Sequence, residues 1–239
     1  MNVASVVYTY HPPAHAFGDR RCHGDRACYD PASMAAADSH LRDLILRTSP
    51  DAGAIAAYLD GIELRDAVTA ARTLSGRKAQ GALWQLVAGN PPISVGDLVP
   101  LDHEPMQPVV FHGKNSLPAF TEFQKICCLP PSGTDGAALW GYNETTIKSF
   151  IGPGYYVVHD TGDNPYGGVA FDYTRLPGDH PPGWPAIRAN SVGLSRFIYN
   201  NTIDYMRRVA GNVFIGLATR GEKSLNSYFV LVRELGRTN

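Results

Sequence analysis

Polar side chains interrupt apolar, strand-like stretches in the second half of the chain, and these residues are the best suited to chemistry. They are His112, Lys114, Glu122, Tyr142, His159, Asp172 and Tyr173. A buried charge is costly unless it is paired, so an inward-facing member of this set must contact another member, a ligand, or Arg207 or Arg208. An outward-facing member needs no such partner.

His159, Tyr173 and Asp172 are the candidate catalytic residues. His159 shares one side of its predicted strand with apolar residues, and Tyr173 does the same on the next strand. We therefore expect His159 and Tyr173 to project into one apolar interior, where burial would lower the pKa of the imidazole and suit it to general acid or base work. The alternative is a solvated strand-end histidine next to Asp160.

The predicted function is binding of a small hydrophobic or aromatic metabolite, with a cofactor-independent proton transfer on it. Isomerisation, dehydration and cyclisation are the reaction types considered, and a non-catalytic carrier is the alternative. Neither a cofactor nor a metal is expected. The candidate ligand-binding residues are Lys114, His112, Tyr142, Tyr155, Trp184 and Arg207.

Asp204 and Arg207 are spaced to meet on one helical turn. There they would form an ion pair that closes the end of the fold, worth about 0.3 kcal/mol if exposed. Alternatively, Arg207 and Arg208 would hold a ligand carboxylate through paired hydrogen bonds.

Motifs for other chemistry are missing or weak. The sequence has no GxSxG elbow, P-loop, GxGxxG or HExxH. Cys127 and Cys128 are adjacent, so on a strand they would face opposite sides, where buried thiols are inert. The segment 22–28 holds two cysteines, a histidine and an aspartate, but their spacing is not that of a zinc site and favours a solvent-facing loop.

Strands would position these residues, because apolar and polar residues alternate with a period of two after Pro108. We predict seven strands joined by short turns, which favours an antiparallel barrel or a strongly curled sheet. Five lie in the stretches Val109–Lys114, Ala119–Cys128, Leu139–Asn143, Phe150–Asp160 and Gly168–Thr174, and a final hairpin supplies Val213–Thr219 and Tyr228–Arg233. Asp204 and Arg207 precede this hairpin on a predicted helix or tight turn.

A helical block precedes the strands. Apolar residues recur at helical spacing between Pro31 and Gly89, where we predict four short helices. The predicted division is an arm over 1–31, a helical segment over 32–99 and an antiparallel barrel over 100–239, and the helices and the barrel are expected to pack as one compact unit. The fold class is therefore α+β, mainly β.

The segment Leu176–Asn190, with four prolines, is predicted to be a loop long enough to cover a barrel mouth. Trp184 on this loop would be either a plug over a ligand cavity or an anchor on the surface.

Composition narrows the possible partners. The net charge is −1 and no cluster of Lys and Arg marks a nucleic-acid surface, so no nucleic-acid partner is expected. No apolar run approaches the roughly 20 residues that span a bilayer, and the start lacks a secretory leader. The expectation is a cytoplasmic protein without a membrane partner, and the oligomeric state stays open.

The closing segments resemble a known family. Ile203–Arg207 (IDYMR), Phe214–Gly216 (FIG), Tyr228–Arg233 (YFVLVR) and Phe111–Lys114 (FHGK) are similar to barrel-strand motifs of lipocalin-like GXWXG-type proteins, within the wider calycin group. The resemblance implies a barrel that holds a small apolar or aromatic molecule in a cup, with an arginine near the last strand in a closing role.

Overall fold

The computed structural model describes residues 31–119, 121–134, 138–221 and 223–234, and the side chains of 31–38 are not described. The predicted N-terminal loop with its cysteines and histidine lies outside these residues. Within them, no helix is long and apolar enough to cross a membrane.

Four helices form the first part of the described chain, as the apolar spacing predicts. They are α1 (Pro31–Leu46), α2 (Ala52–Asp60), α3 (Leu64–Arg72) and α4 (Gly76–Leu86), followed by a 3-10 turn at Val87–Gly89 and by the short α5 (Val95–Leu98). The helix α2 begins at Asp51, whose carboxylate accepts hydrogen bonds from the backbone N–H groups of Gly53 and Ala54. These bonds satisfy N–H groups that have no partner within the helix.

Eight strands follow and close into an antiparallel barrel. They are β1 (Val109–Asn115), β2 (Glu122–Cys128), β3 (Ala138–Glu144), β4 (Tyr156–Asp160), β5 (Val169–Asp172), β6 (Thr202–Arg208), β7 (Val213–Arg220) and β8 (Lys223–Glu234). Each strand pairs with the next, and β8 pairs with β1. Short helices α6 (Lys148–Ile151) and α7 (Ser195–Ile198) lie in the loops after β3 and β5. The predicted class, α+β and mainly β, is confirmed.

The strand β6 corrects the prediction of a helix or turn at this place. Asp204 and Arg207 lie on β6, which pairs with β5 and β7 along its length. Because they are three residues apart on a strand, their side chains point to opposite faces of the sheet. The predicted Asp204–Arg207 ion pair therefore does not form.

Successive side chains along each strand point to opposite sides of the barrel wall, which therefore has an inner and an outer face. The inner face carries an apolar core that includes Phe111, Phe171, Met206, Phe214 and Leu231, none of which is exposed. Phe229 lies over its cross-strand partner Gly216, where an added Cβ would come within 2.1 Å of the ring. Glycine at 216 is what leaves room for this ring inside the barrel.

The outer face of the last strands is covered by the helices. Leu83 and Trp84 of α4 pack in one apolar cluster with Ile215 of β7 and with Val230 and Val232 of β8. The guanidinium of Arg207 lies 3.9 Å from the centre of the Trp84 ring and donates to the Trp84 carbonyl. The helices and the outer face of these strands thus share one apolar core, which is separate from the core of the barrel interior.

One end of the barrel is closed by the segment from Ile93 to Val99. Its apolar residues belong to the core of the barrel interior. Arg233 of β8 donates to the carbonyl oxygens of Asp97 and Leu98 at 2.7 and 3.0 Å. The barrel interior is therefore closed at this end, among the residues that the structure describes.

Candidate functional site: a lysine and carboxylate cluster inside the barrel

Lys125 lies at the centre of a polar cluster inside the otherwise apolar barrel. It lies on the same side of β2 as Phe123 and Cys127, which pack in the interior core, and it is 1% exposed. Its Nζ lies 3.0 Å from Oδ2 of Asp204 on β6 and 3.3 Å from Oδ1 of Asn143 on β3. Strands from three parts of the barrel thus bring one cation, one carboxylate and one amide together.

The hydroxyl group of Tyr173, just after β5, joins these three groups. Lys125 Nζ lies 2.5 Å from the hydroxyl oxygen, and Nδ2 of Asn143 donates to it at 2.9 Å. The hydroxyl also lies 3.3 Å from Oδ2 of Asp204. The four residues are all buried and form one connected hydrogen-bond network. We call Lys125, Asn143, Tyr173 and Asp204 the polar cluster.

Aromatic rings surround the ammonium group of Lys125. The centres of the Tyr156, Phe171, Tyr173 and Phe229 rings lie 4.8 to 5.1 Å from Nζ, and that of Phe123 lies 5.9 Å away. Ring faces attract a cation and partly replace the water that it loses on burial. The rings and Asp204 together explain how a lysine is accommodated in this interior.

Burial governs the acidity of the groups in and near the cluster. It lowers the pKa of Lys125, and the Asp204 carboxylate opposes that change. Burial also raises the pKa of Tyr173 well above its ordinary value of 10.0, with Asp204 adding to the rise. The phenol therefore stays protonated and can donate a hydrogen bond.

A cavity of about 370 Å³ leads from the polar cluster to the end of the barrel opposite Ile93–Val99. All four members of the cluster line it. The rest of its wall is mainly apolar and includes Phe123, Tyr199, Ala218 and Phe229. Tyr199 stacks on Tyr173 with ring centres 5.2 Å apart, and this contact holds the Tyr173 ring in place beside the opening.

The mouth of this cavity is apolar and exposed. The loops after β1, β3 and β5 supply Leu117, Ile151 and Phe197 to its lining, and the start of β8 supplies Leu225. Phe197 remains 62% exposed, which is unusual for so large an apolar side chain. The opening thus offers an apolar path from the surface to the polar cluster.

Among the predicted catalytic residues, the structure brings only Tyr173 into the cavity. His159 and Asp172 face the outer side of the wall, where Nε2 of His159 lies 3.7 Å from Oδ2 of Asp172. The expectation that His159 projects into the interior is wrong, because its neighbour Val158 holds the inward position on β4. The Asp172 carboxylate raises the pKa of His159 above 6.5, against the predicted lowering.

Lys114 and His112 also lie on the outer face. Nζ of Lys114 donates to the Thr121 hydroxyl at 2.8 Å. Nε2 of His112 lies 2.8 Å from Oε2 of Glu234. Both residues alternate with inward positions on β1, and neither lines the cavity.

Tyr142, Tyr155 and Trp184 form an aromatic group on the outer wall. The Trp184 ring lies 4.9 Å from that of Tyr142, and the Tyr155 hydroxyl donates to the Pro185 carbonyl. Asn190 ties the same loop down by donating to the backbone oxygens of Tyr155 and Tyr173. Of the two roles considered for Trp184, the position fits a surface anchor, because the ring does not line the cavity.

Arg207 faces outward, toward the helices, and donates to the backbone oxygens of Trp84 and Pro165. Its partner in the alternative role, Arg208, lies 2.5 Å from Oδ1 of Asp97. Neither arginine lines the cavity, so this pair is not placed to hold a ligand carboxylate there.

The sequence interpretation missed Lys125 and Asn143 as site residues, and it assigned Asp204 to a structural ion pair with Arg207. The signal was available for Lys125, because it shares strand parity with Phe123 and Cys127.

Cys127 and Cys128 do lie in opposite clusters, inner and outer, and burial raises the pKa of each thiol to about 12. Among the described residues, no group of His, Cys, Asp and Glu is arranged to hold a metal ion.

Comparisons with known proteins found no matching family, no similar curated protein and no similar solved structure. The closed antiparallel barrel fits a lipocalin-like fold. The Gly-x-Trp-x-Gly signature itself does not occur in the sequence. The functional interpretation therefore depends on the geometry of the cavity.

Proposed function

We propose that the barrel binds a small, uncharged and largely apolar molecule that carries one hydrogen-bond acceptor, such as a carbonyl oxygen. The observation that supports this most is the apolar cavity that ends on the polar cluster. An apolar wall with a few convergent polar groups is the usual composition of a small-molecule site. A volume of about 370 Å³ suits a molecule of one or two rings.

Charge balance in the polar cluster favours a neutral ligand. Lys125 and Asp204 form a close ion pair, so the end of the cavity carries no net charge. A ligand carboxylate at this end would approach Asp204 as well as Lys125 and would lose its hydration without an unpaired cation beside it. Arg220, another cation on the cavity wall, is instead held by the Phe197 and Ile198 carbonyl oxygens, to which it donates. A carbonyl oxygen needs only a donor, and the protonated Tyr173 hydroxyl on the cavity wall supplies one.

Competition binding tests this proposal. Prodan, a neutral fluorescent naphthyl ketone, should bind with a blue-shifted emission, and neutral benzylideneacetone should displace it more effectively than cinnamate. Tyr173→Phe should weaken benzylideneacetone binding about fivefold to tenfold, the effect of one lost hydrogen bond. The matched control is Tyr142→Phe, which removes a hydroxyl from the outer wall. Equal effects of the two substitutions, or stronger displacement by cinnamate, would contradict the proposal.

The polar cluster also supports a second function, cofactor-independent proton transfer on the bound molecule. Tyr173 is a protonated acid, and Asp204 is a carboxylate base on the same cavity wall. The proposed catalytic set thus keeps Tyr173 and replaces the outward-facing His159 and Asp172 with Asp204 and Lys125. Isomerisation, dehydration and cyclisation of a carbonyl compound all need such an acid and base.

Hydrogen exchange separates catalysis from simple binding. In deuterated water, the wild-type protein should accelerate exchange of the methyl hydrogens of benzylideneacetone, measured by NMR, because donation to the ketone oxygen acidifies them. Tyr173→Phe should lower the acceleration at least about tenfold, within the range of one general-acid contribution. If bound benzylideneacetone exchanges no faster than in buffer, binding alone remains as the function.

A further inference from the structure

The only lysine that lines the cavity, within the described residues, has the surroundings of an imine-forming amine. Lys125 ends in the interior of the barrel, and its Nζ lies 3.0 Å from a carboxylate and 2.5 Å from a phenol. The lysines Lys78, Lys114, Lys148 and Lys223 do not line the cavity. A molecule that enters the mouth therefore meets one amine, with an acid and a base beside it.

We propose that Lys125 forms a Schiff base with an aldehyde bound in the cavity, so that the site holds its aldehyde covalently and reversibly. This proposal rests on the proposed binding function and specifies the substrate class. Desolvated lysines in apolar pockets are a recognised class of carbonyl nucleophile. Burial lowers the pKa of Lys125, which favours the neutral amine that must attack.

The reaction balances with the groups present. The Lys125 ammonium passes one proton to Asp204, and the free amine attacks the aldehyde carbon, forming a C–N bond while the C=O π bond breaks. Tyr173 donates a hydrogen bond to the carbonyl oxygen as charge develops on it, and protonated Asp204 returns its proton to that oxygen. The nitrogen then loses a second proton to Asp204, which gives the neutral carbinolamine. Asp204 passes this proton to the hydroxyl group, which leaves as water when the C–O bond breaks, and the nitrogen lone pair forms the C=N bond of the iminium ion. Overall, ammonium plus aldehyde gives iminium plus water.

The positive charge stays at the nitrogen of Lys125, where the surroundings stabilise it. The iminium nitrogen carries the positive charge that the ammonium group carried before, next to Asp204 and among the same aromatic rings. The buried ion pair is therefore retained, although the amine gives up hydrogen bonds to Asn143 or Tyr173 when the new C–N bond forms. The apolar body of the aldehyde occupies the cavity.

Reductive trapping tests the proposal. Full-length protein is incubated with cinnamaldehyde and sodium cyanoborohydride, and the modified lysines are mapped by peptide mass spectrometry. We expect saturable modification of Lys125, and benzylideneacetone at ten times its dissociation constant should lower it about tenfold. Modification of the exposed Lys78 should not respond to this competitor. Lys114→Met should leave the Lys125 adduct unchanged.

Two variants keep the test independent of folding. Lys125→Met should lose the cavity adduct, and Lys125→Arg, which keeps the charge but forms no imine, should lose it while the circular dichroism spectrum stays native. If prodan binds and benzylideneacetone displaces it, yet Lys125 is not modified, the Schiff base is wrong and the binding function stands. If prodan does not bind, both proposals fail.

Discussion

Two pairs of one basic and one acidic side chain lie on opposite faces of the same barrel wall. Inside, Lys125 and Asp204 are 3.0 Å apart, with side chains only 2% and 8% exposed. Outside, His159 and Asp172 are 3.7 Å apart, and the histidine side chain is 32% exposed. The residue types are similar, but only the inner pair has both side chains buried and faces the cavity. The side of the strand to which a residue points, more than its type, decides which pair can act on a ligand.

The inner pair should dominate stability when it is broken. Lys125→Met removes the cation and leaves Asp204 buried without its charge partner, which should lower the free energy of unfolding by about 3–5 kcal/mol. Urea unfolding followed by circular dichroism measures this loss. The double variant Lys125→Met with Asp204→Leu should recover most of it, because no charge then remains unpaired. A single variant that costs under about 1 kcal/mol would show that the pair is solvated.

The outer pair should have a small, pH-dependent effect. Asp172 raises the pKa of His159 above its ordinary 6.5, so this stabilisation is full below pH 6.5 and is lost as the pH rises through the folded pKa. Burial opposes ionisation of Asp172, but hydrogen bonds from His159 and Thr174 outweigh it and lower that pKa below 3.8. Stabilisation by the pair is therefore greatest between pH 3.8 and pH 6.5.

His159→Gln accordingly should lower the free energy of unfolding by about 0.5 kcal/mol at pH 5.5 and by less at pH 8, as thermal or urea unfolding at both values will show. Prodan affinity should not change in this variant. Loss of prodan binding would place His159 in the functional site and contradict the division between inner and outer pairs.

The sequence predicted the architecture well because periodicity and turn chemistry are local signals. The four helices and most strands follow from them. The strand β6 was missed because Tyr199–Asn201 precede it with turn residues, and because the Asp204–Arg207 spacing also fits a helix. Only pairing with β5 and β7, which is not local, shows that this segment is a strand.

The site was harder to predict than the fold. Tyr173 was correctly placed in the interior, but the side of the wall that His159 faces depends on where β4 begins and how it pairs with β5. Lys125 and Asp204 are 79 residues apart in sequence and meet only because β2 and β6 face each other across the closed barrel. The available signal in the sequence was the position of Lys125, which shares one side of its strand with the apolar residues Phe123 and Cys127.

The most direct measurement of the central claim is prodan binding to a variant with a filled cavity. Ala218 lines the cavity, so Ala218→Trp should abolish prodan binding, while Ala189→Trp on an exposed loop should bind prodan like the wild-type protein. Circular dichroism establishes that both variants are folded. Folded Ala218→Trp protein that binds prodan with unchanged affinity would contradict the claim that this cavity is the functional site.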